Sequence, residues 1–141
     1  PDDIDARISR MESGVDAQCS IVFTYRNGAM AQLFSSFESN LATEADLCGD
    51  RGRIRLATRF YEPQGDIEYY SGRVDSKELI PFDREEGGGF QYQIRHVNQC
   101  LQQGLTESPV MSHKDSLLLM ETLDTIRKKA GLVFPADQIS D

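Results

Sequence analysis

The hydrophobic pattern along the chain changes period once. From Asp16 it repeats every two residues: Ala17, Cys19, Ile21, Phe23 and Tyr25 alternate with Asp16, Gln18, Ser20, Val22 and Thr24, which predicts a strand. Asn27-Gly28 follows, a dipeptide suited to a tight hairpin, and residues 29–38 read as the returning strand. Upstream, residues 5–13 place Ala6, Ile8 and Arg10 on one side, and Gly14 breaks the run. Downstream, GRIRL at 52–56 alternates Ile54 and Leu56 with arginines, and IEYY at 67–70 and the segment 74–80 read as shorter strands. Gly49, Gly52, Pro63, Gly65, Gly72 and Pro81 punctuate them.

From Gly89 the period becomes 3.6. Phe90, Ile94, Val97 and Leu101 form an apolar stripe flanked by Cys100, with Tyr92, His96, Gln99 and Gln103 on a polar stripe. Gly104 stands where a C-terminal cap belongs. Ser112-His113-Lys114-Asp115 has the form of a capping box and opens a second helix, with Leu119, Leu123, Ile126 and Ala130 as its buried stripe and Gly131 as its end. Strands first and two helices last predict an α+β fold: an open, mostly antiparallel sheet with the two C-terminal helices packed on one face.

A two-residue turn at Asn27-Gly28 would set Arg26 opposite Ala29 and fix the hairpin register. One face then carries Cys19, Ile21, Phe23, Tyr25, Met30 and Phe34 and is core. The other carries Gln18, Ser20, Val22, Thr24, Ala31, Leu33, Ser35 and Phe37. That face is flat, small and mixed, which suits either contact with another protein surface or an ordinary half-wet sheet face.

Composition changes this picture little. The chain has 141 residues, the length of one domain, with 39% hydrophobic residues and a net charge of −8. Arg127, Lys128 and Lys129 are the one basic cluster and close a helix, so a nucleic-acid role is not expected. No apolar run reaches membrane-spanning length and no secretory signal is visible. Cys19, Cys48 and Cys100 are odd in number and sit in apolar runs, as expected of reduced, buried thiols in a cytoplasmic protein. Pro1 in place of an initiator Met is what a segment of a longer chain would show.

Candidate chemistry is incomplete. Gly87-Gly88-Gly89 opens a helix, as phosphate loops do, but it follows Asp83-Arg84-Glu85-Glu86, whose carboxylates repel phosphate, and no Lys, Ser or Thr stands at the required offset. His96 and Cys100 are four apart and could share a metal ion, yet no further ligand has the spacing a zinc site needs. His113 and Asp115 have no nucleophile placed beside them, and Glu85-Glu86 reads as a solvated loop. No catalytic, cofactor-binding or metal residue is assigned.

Taken together, the segments at 13–37 (SGVDAQCSIVFTYRNGAMAQLFSSF), 49–56 (GDRGRIRL), 89–131 and 133–135 (VFP) resemble the C-terminal domain of the glucose–fructose oxidoreductase, inositol dehydrogenase and rhizopine-catabolism (Gfo/Idh/MocA) superfamily, nearest its dimeric dihydrodiol dehydrogenase branch. The resemblance implies one C-terminal substrate-binding and oligomerisation domain over residues 1–141, with the family's N-terminal Rossmann domain outside this chain. It implies NAD or NADP for the whole protein, with none bound by this chain, and a sugar, cyclitol or diol as substrate. The family's GxGxxG, its E-K-P lysine and its D-x-x-x-H pair do not occur here, and neither Asp16 nor His96 is carried over as a member of that pair. The resemblance further implies that the glycine run leads into the first C-terminal helix near a pocket mouth. Phe82 and Tyr92 are then candidate pocket walls, Phe90 belongs to the core, and Gln93 stands where relatives often have Glu. The sheet face bearing Val22, Thr24, Leu33, Ser35 and Phe37 becomes the candidate dimer surface. The other reading is a stand-alone dimerisation module without redox activity, and a small-molecule-binding domain without redox chemistry ranks third.

Overall fold

A computed structural model describes residues 1–57, 59–62, 65–72, 76–83 and 85–134. Its elements are β1 (Asp3–Arg10), β2 (Asp16–Thr24), β3 (Met30–Ser36), β4 (Ala45–Gly49), β5 (Gly52–Leu56), β6 (Ile67–Ser71), β7 (Ser76–Leu79), α1 (Phe90–Gln102) and α2 (His113–Lys129). Residues 74–75 of the expected segment 74–80, Pro63 and Pro135 lie outside the described residues. The α+β class and the antiparallel pairing are as expected. The strands, however, divide between two sheets, β1-β2-β3 and β4-β5-β6-β7. The chain forms two compact units, one from Pro1–Leu41 with Glu107–Asp141 and the other from Ala42–Thr106, so each helix belongs to a different unit.

In the first unit the period-two pattern becomes burial. Ile4 and Ala6 of β1 are buried beside exposed Asp3, Asp5 and Arg7, and α2 lays Ile126 on them. Cys19, Ile21 and Phe23 of β2 and Ala130 complete this cluster. The capping box forms as expected: Ser112 accepts from the Asp115 N–H, and the Asp115 carboxylate accepts from the Ser112 N–H. At the other end the Leu132 N–H reaches the Arg127 carbonyl and the Gly131 N–H the Lys128 carbonyl, a Schellman end that buries Leu132. Gly104 closes α1 by the same pair of bonds, with the Leu105 N–H to Cys100 and its own N–H to Leu101.

The hairpin corrects the expected register. Tyr25, not Arg26, pairs with Ala29, because Arg26, Asn27 and Gly28 form a three-residue loop. Asn27 Oδ1 accepts the Ala29 N–H at 3.0 Å, and Gly28 has φ +86, a conformation glycine adopts freely. One added loop residue turns every β3 side chain over. Ser35, Leu33 and Ala31 now lie opposite Cys19, Ile21 and Phe23, on the helix side of the sheet. Met30 and Phe34 move to the outer face with Thr24, Val22 and Ser20. Val22 and Thr24 therefore do not share a face with Leu33 and Ser35. Phe37 follows β3 opposite Ala17, in phase with Leu33 and Ser35.

The second unit is a four-stranded meander. The sequence reading missed β4, whose run of five residues has only Ala45 and Leu47 as alternating apolar signals. Gly52, at φ +152, is required where β5 passes β6: a Cβ there would lie 2.3 Å from the Tyr70 carbonyl oxygen. The buried side chain among this unit's described residues is a carboxylate, Glu68. The stripe of α1 is not buried as expected: Phe90 is 69% exposed and Leu101 68%. Periodicity sets which helix face is apolar, but burial needs an opposing surface, and among the described residues of this unit none buries a side chain of α1.

Candidate functional site

The glycine run forms a short bridge into α1, and the residues just before it are tied to the helix. Gly89 is the N-cap at φ +90 and contributes no side-chain cap. Glu85, just before the bridge, receives a bidentate contact from Arg95, with both N–O distances 2.8 Å. The Glu85 N–H donates to the Tyr92 hydroxyl at 3.2 Å, and Gln91 Nε2 donates to the Glu86 carbonyl at 3.4 Å. The Arg95 hydrogen bonds hold the Glu85 carboxyl below its ordinary range and raise the guanidinium in turn. The sequence contained no short-range sign of this pair, because the partners are ten residues apart with glycines between them.

Of the expected pocket residues, Tyr92 accepts from the Glu85 N–H just before the glycine bridge, and Gln93 beside it on α1 is exposed. Phe82 lines a separate cavity of about 180 Å³ with Phe60, Glu62, Asp66, Leu56 and Ile67. Tyr92 and Gln93 are not among the residues that line this cavity. Aromatic faces beside carboxylates suit a small hydroxylated ring, the rings packing on C–H groups and the carboxylates accepting from hydroxyls.

A charged cluster that the sequence reading missed lies on one face of the second sheet. Glu68 accepts from Lys77 and from the Tyr70 hydroxyl, the latter at 2.7 Å, and the Lys77 and then the Tyr70 hydrogen bond lower its carboxyl pKa. Arg53 stacks 4.1 Å over the Tyr70 ring, and Arg55 pairs with Glu44. Polar or charged residues at every second position, Arg53 with Arg55 and Glu68 with Tyr70, were the available signal.

In the first unit a groove of about 520 Å³ runs between the sheet and α2, lined by Ile8, Cys19, Ile21, Met120, Leu123 and Arg127 among others. Burial, and then the Asp16 carboxylate, push the Cys19 thiol pKa up. Cys19 and Cys100 are half-buried, but Cys48 is exposed, contrary to expectation. Cys100 Sγ lies 3.5 Å from His96 Nε2, and among the described residues no group of three possible metal ligands forms. His113 is paired with Glu107 and not with Asp115: its N–H donates to Glu107 Oε2 at 2.7 Å. No helix among the described residues is long and apolar enough to cross a membrane.

No protein-family profile matches the chain. Curated proteins do match it. It is 30% identical over 143 residues to the trans-1,2-dihydrobenzene-1,2-diol dehydrogenase of Xenopus tropicalis, covering 96% of this chain and 42% of that one. It is 31% identical to the Bos taurus enzyme of the same name and 28% identical to the human one, each match covering 98% of this chain. The chain thus spans about 42% of the length of these relatives. Among solved structures, an aldose–aldose oxidoreductase from Caulobacter crescentus complexed with glycerol superposes with a TM-score of 0.75 over 91% of this chain and 38% of its own, at 16% identity. An oxidoreductase from Agrobacterium radiobacter, in complex with NAD+, L-tartaric acid and magnesium, gives 0.66 over 91% of this chain and 40% of its own, also at 16% identity.

Proposed function

We propose that this chain, a homologue of the dihydrodiol dehydrogenases with the fold of Gfo/Idh/MocA oxidoreductases, is the substrate-side domain of an NAD(P)-dependent oxidoreductase acting on a diol, cyclitol or sugar. The observation that carries the reading is the match along nearly the whole chain to 42% of each relative, which leaves a further domain's length in those proteins unmatched. In this reading residues 1–141 are one functional domain, and its partner is a Rossmann domain that supplies the nicotinamide.

The residues present do not fit the dinucleotide itself. The glycine bridge is preceded by Glu85 and Glu86, and the Arg95 cation beside it is committed to Glu85. A nicotinamide accepts or returns a hydride when bound by the other domain; this chain positions substrate and excludes water. Phe82, Tyr92 and Gln93 remain the proposed pocket residues, with Tyr92 held by the bridge. Free thiols at Cys19, Cys48 and Cys100 accord with a cytoplasmic protein. The first sheet's outer face is the proposed self-association surface, with Met30 and Phe34 taking the places of Leu33 and Ser35 beside Val22 and Thr24.

The test is direct. The chain incubated with NAD+ or NADP+ and trans-1,2-dihydrobenzene-1,2-diol, inositol or glucose is expected to form no reduced nicotinamide by absorbance. The native polypeptide, sized by immunoblot, is expected to exceed the 15.9 kDa of this chain. Turnover by the chain alone would overturn the reading, and a native mass near 15.9 kDa would favour the stand-alone module.

A further inference from the structure

The groove between the first sheet and α2 has the size and the lining of a ligand site. It holds about 520 Å³. Small-molecule pockets run to roughly 300–1,000 Å³ and are mostly apolar, with a few polar groups that fix orientation. β1 and β2 contribute Ile8, Cys19 and Ile21 to its walls, and α2 contributes Met120, Leu123 and Ile126. Leu132 and Phe134, beyond the end of α2, add to the lining. Met120 is 51% exposed and Leu123 44%, so the helix side of the groove leaves apolar surface bare.

Three charged side chains also line the groove, and they are not equivalent: Asp16, Asp124 and Arg127. Arg127 Nη2 donates to Asp124 Oδ1 at 2.8 Å, and the guanidinium lies 5.2 Å over the Phe134 ring, so these two charges offset each other. The Asp16 carboxylate forms no ion pair or side-chain hydrogen bond among the described residues. Arg10 stands opposite Asp16 in the strand register, yet its guanidinium donates to the Gly131 carbonyl at the end of α2. The groove therefore carries one carboxylate whose oxygens are unengaged. Cys19, which that carboxylate and burial both affect, stands further along the same strand.

We propose that this groove binds a small apolar amine, with the ammonium on the Asp16 carboxylate and an aryl or hydrocarbon body between β2 and α2. An ammonium supplies donors only and a carboxylate acceptors only, so the pair forms charge-assisted hydrogen bonds that a hydroxyl cannot match. An anionic ligand meets the opposite situation: Asp16 repels it, and the Arg127 cation is already engaged by Asp124. The body suits an aryl ring, since Met120 offers a thioether and Phe134 a ring edge or face. The proposal stands on the groove alone and is independent of the oxidoreductase reading.

The test is isothermal titration calorimetry of the 141-residue chain with phenylbutylamine, phenylbutanol and phenylbutyrate, which share a body and differ in the head group. The amine is expected to bind at least about tenfold more tightly than the alcohol, equivalent to 1.4 kcal/mol, with the carboxylate weakest. Asp16→Asn should bring the amine down to the level of the alcohol. Met120→Trp fills the groove from a half-exposed helix position and should weaken amine and alcohol alike. Bound amine should also slow N-ethylmaleimide labelling of Cys19, followed by peptide mass spectrometry, and leave exposed Cys48 unchanged. Circular dichroism confirms the folding of each variant, and if Asp16→Asn is unfolded the amine-to-alcohol ratio on the wild type decides. Equal binding of amine and alcohol, or tighter binding of the carboxylate, overturns the role of Asp16. Amine binding that leaves Cys19 labelling unchanged lies elsewhere and overturns the site, as does no amine binding up to millimolar concentration.

Discussion

Ile126 joins the helix to the sheet of the first unit, and its replacement by alanine gives a worked test of that packing. The side chain is 9% exposed and lies in the cluster with Ile4 and Ala6. The change removes three carbon groups, each worth about 0.8 kcal/mol when buried, or about 2.4 kcal/mol in all. A sealed cavity would add to this, but Ile126 also lines the groove of about 520 Å³, so the vacated space opens into that groove. The expected loss is therefore about 2.5 kcal/mol. In urea, with a slope of about 2 kcal/mol per molar, the midpoint should fall by about 1.2 M with the slope unchanged. Leu117→Ala is the control, since Leu117 is 64% exposed, and it should cost less than about 1 kcal/mol. A midpoint shift for Ile126→Ala no larger than for Leu117→Ala would refute the proposed docking of α2.

Two other perturbations read local devices. Ser112→Ala removes the acceptor for the Asp115 N–H and should cost about 1 kcal/mol in the same urea measurement, with Ser112→Asn retaining most of it; equal losses for both would show the cap does not act through that acceptor. Glu85→Gln breaks the charged half of the tie to Arg95, so amide exchange at residues 86–90 should quicken at pH 7, and unchanged exchange would rule out the tie as the constraint. The folded Glu85 carboxyl titrates below its ordinary 4.5, so its contribution is complete above that pH and is lost as pH falls through the lower folded value. Wild-type bridge proteolysis by an acid protease should accordingly approach that of the Gln variant only in strong acid.

The kinship was legible in part. The order of segments from SGVDAQCS to the Leu-rich helix pointed to a dehydrogenase relative, and dihydrodiol dehydrogenases match the chain along nearly its full length. The pocket was less legible. Phe82 and Tyr92 were named for their nearness to the glycine run in sequence, and Gln93 for standing where relatives often have Glu; Phe82 lies with Phe60 and Glu62, and Tyr92 with Glu85.

What the chain determined by itself is local. The period-two run through Cys19, Ile21 and Phe23, the Ser112–Asp115 box, and the glycines that end both helices act within a few residues, where pattern and propensity decide the outcome. Tertiary structure alone decided the rest. A single Asn27 hydrogen bond to the Ala29 N–H, with one more residue in the loop, moved Leu33 to the helix face and Phe34 to the outer one, because a sheet repeats every two residues and any odd slip inverts a strand. Partners distant in sequence, such as Ile4 with Ile126 and Glu85 with Arg95, were likewise invisible beforehand. An apolar stripe records which side of a helix avoids water, but only a second surface settles whether that side is covered, and that is why α2 is docked while α1 presents Phe90 and Leu101 to solvent.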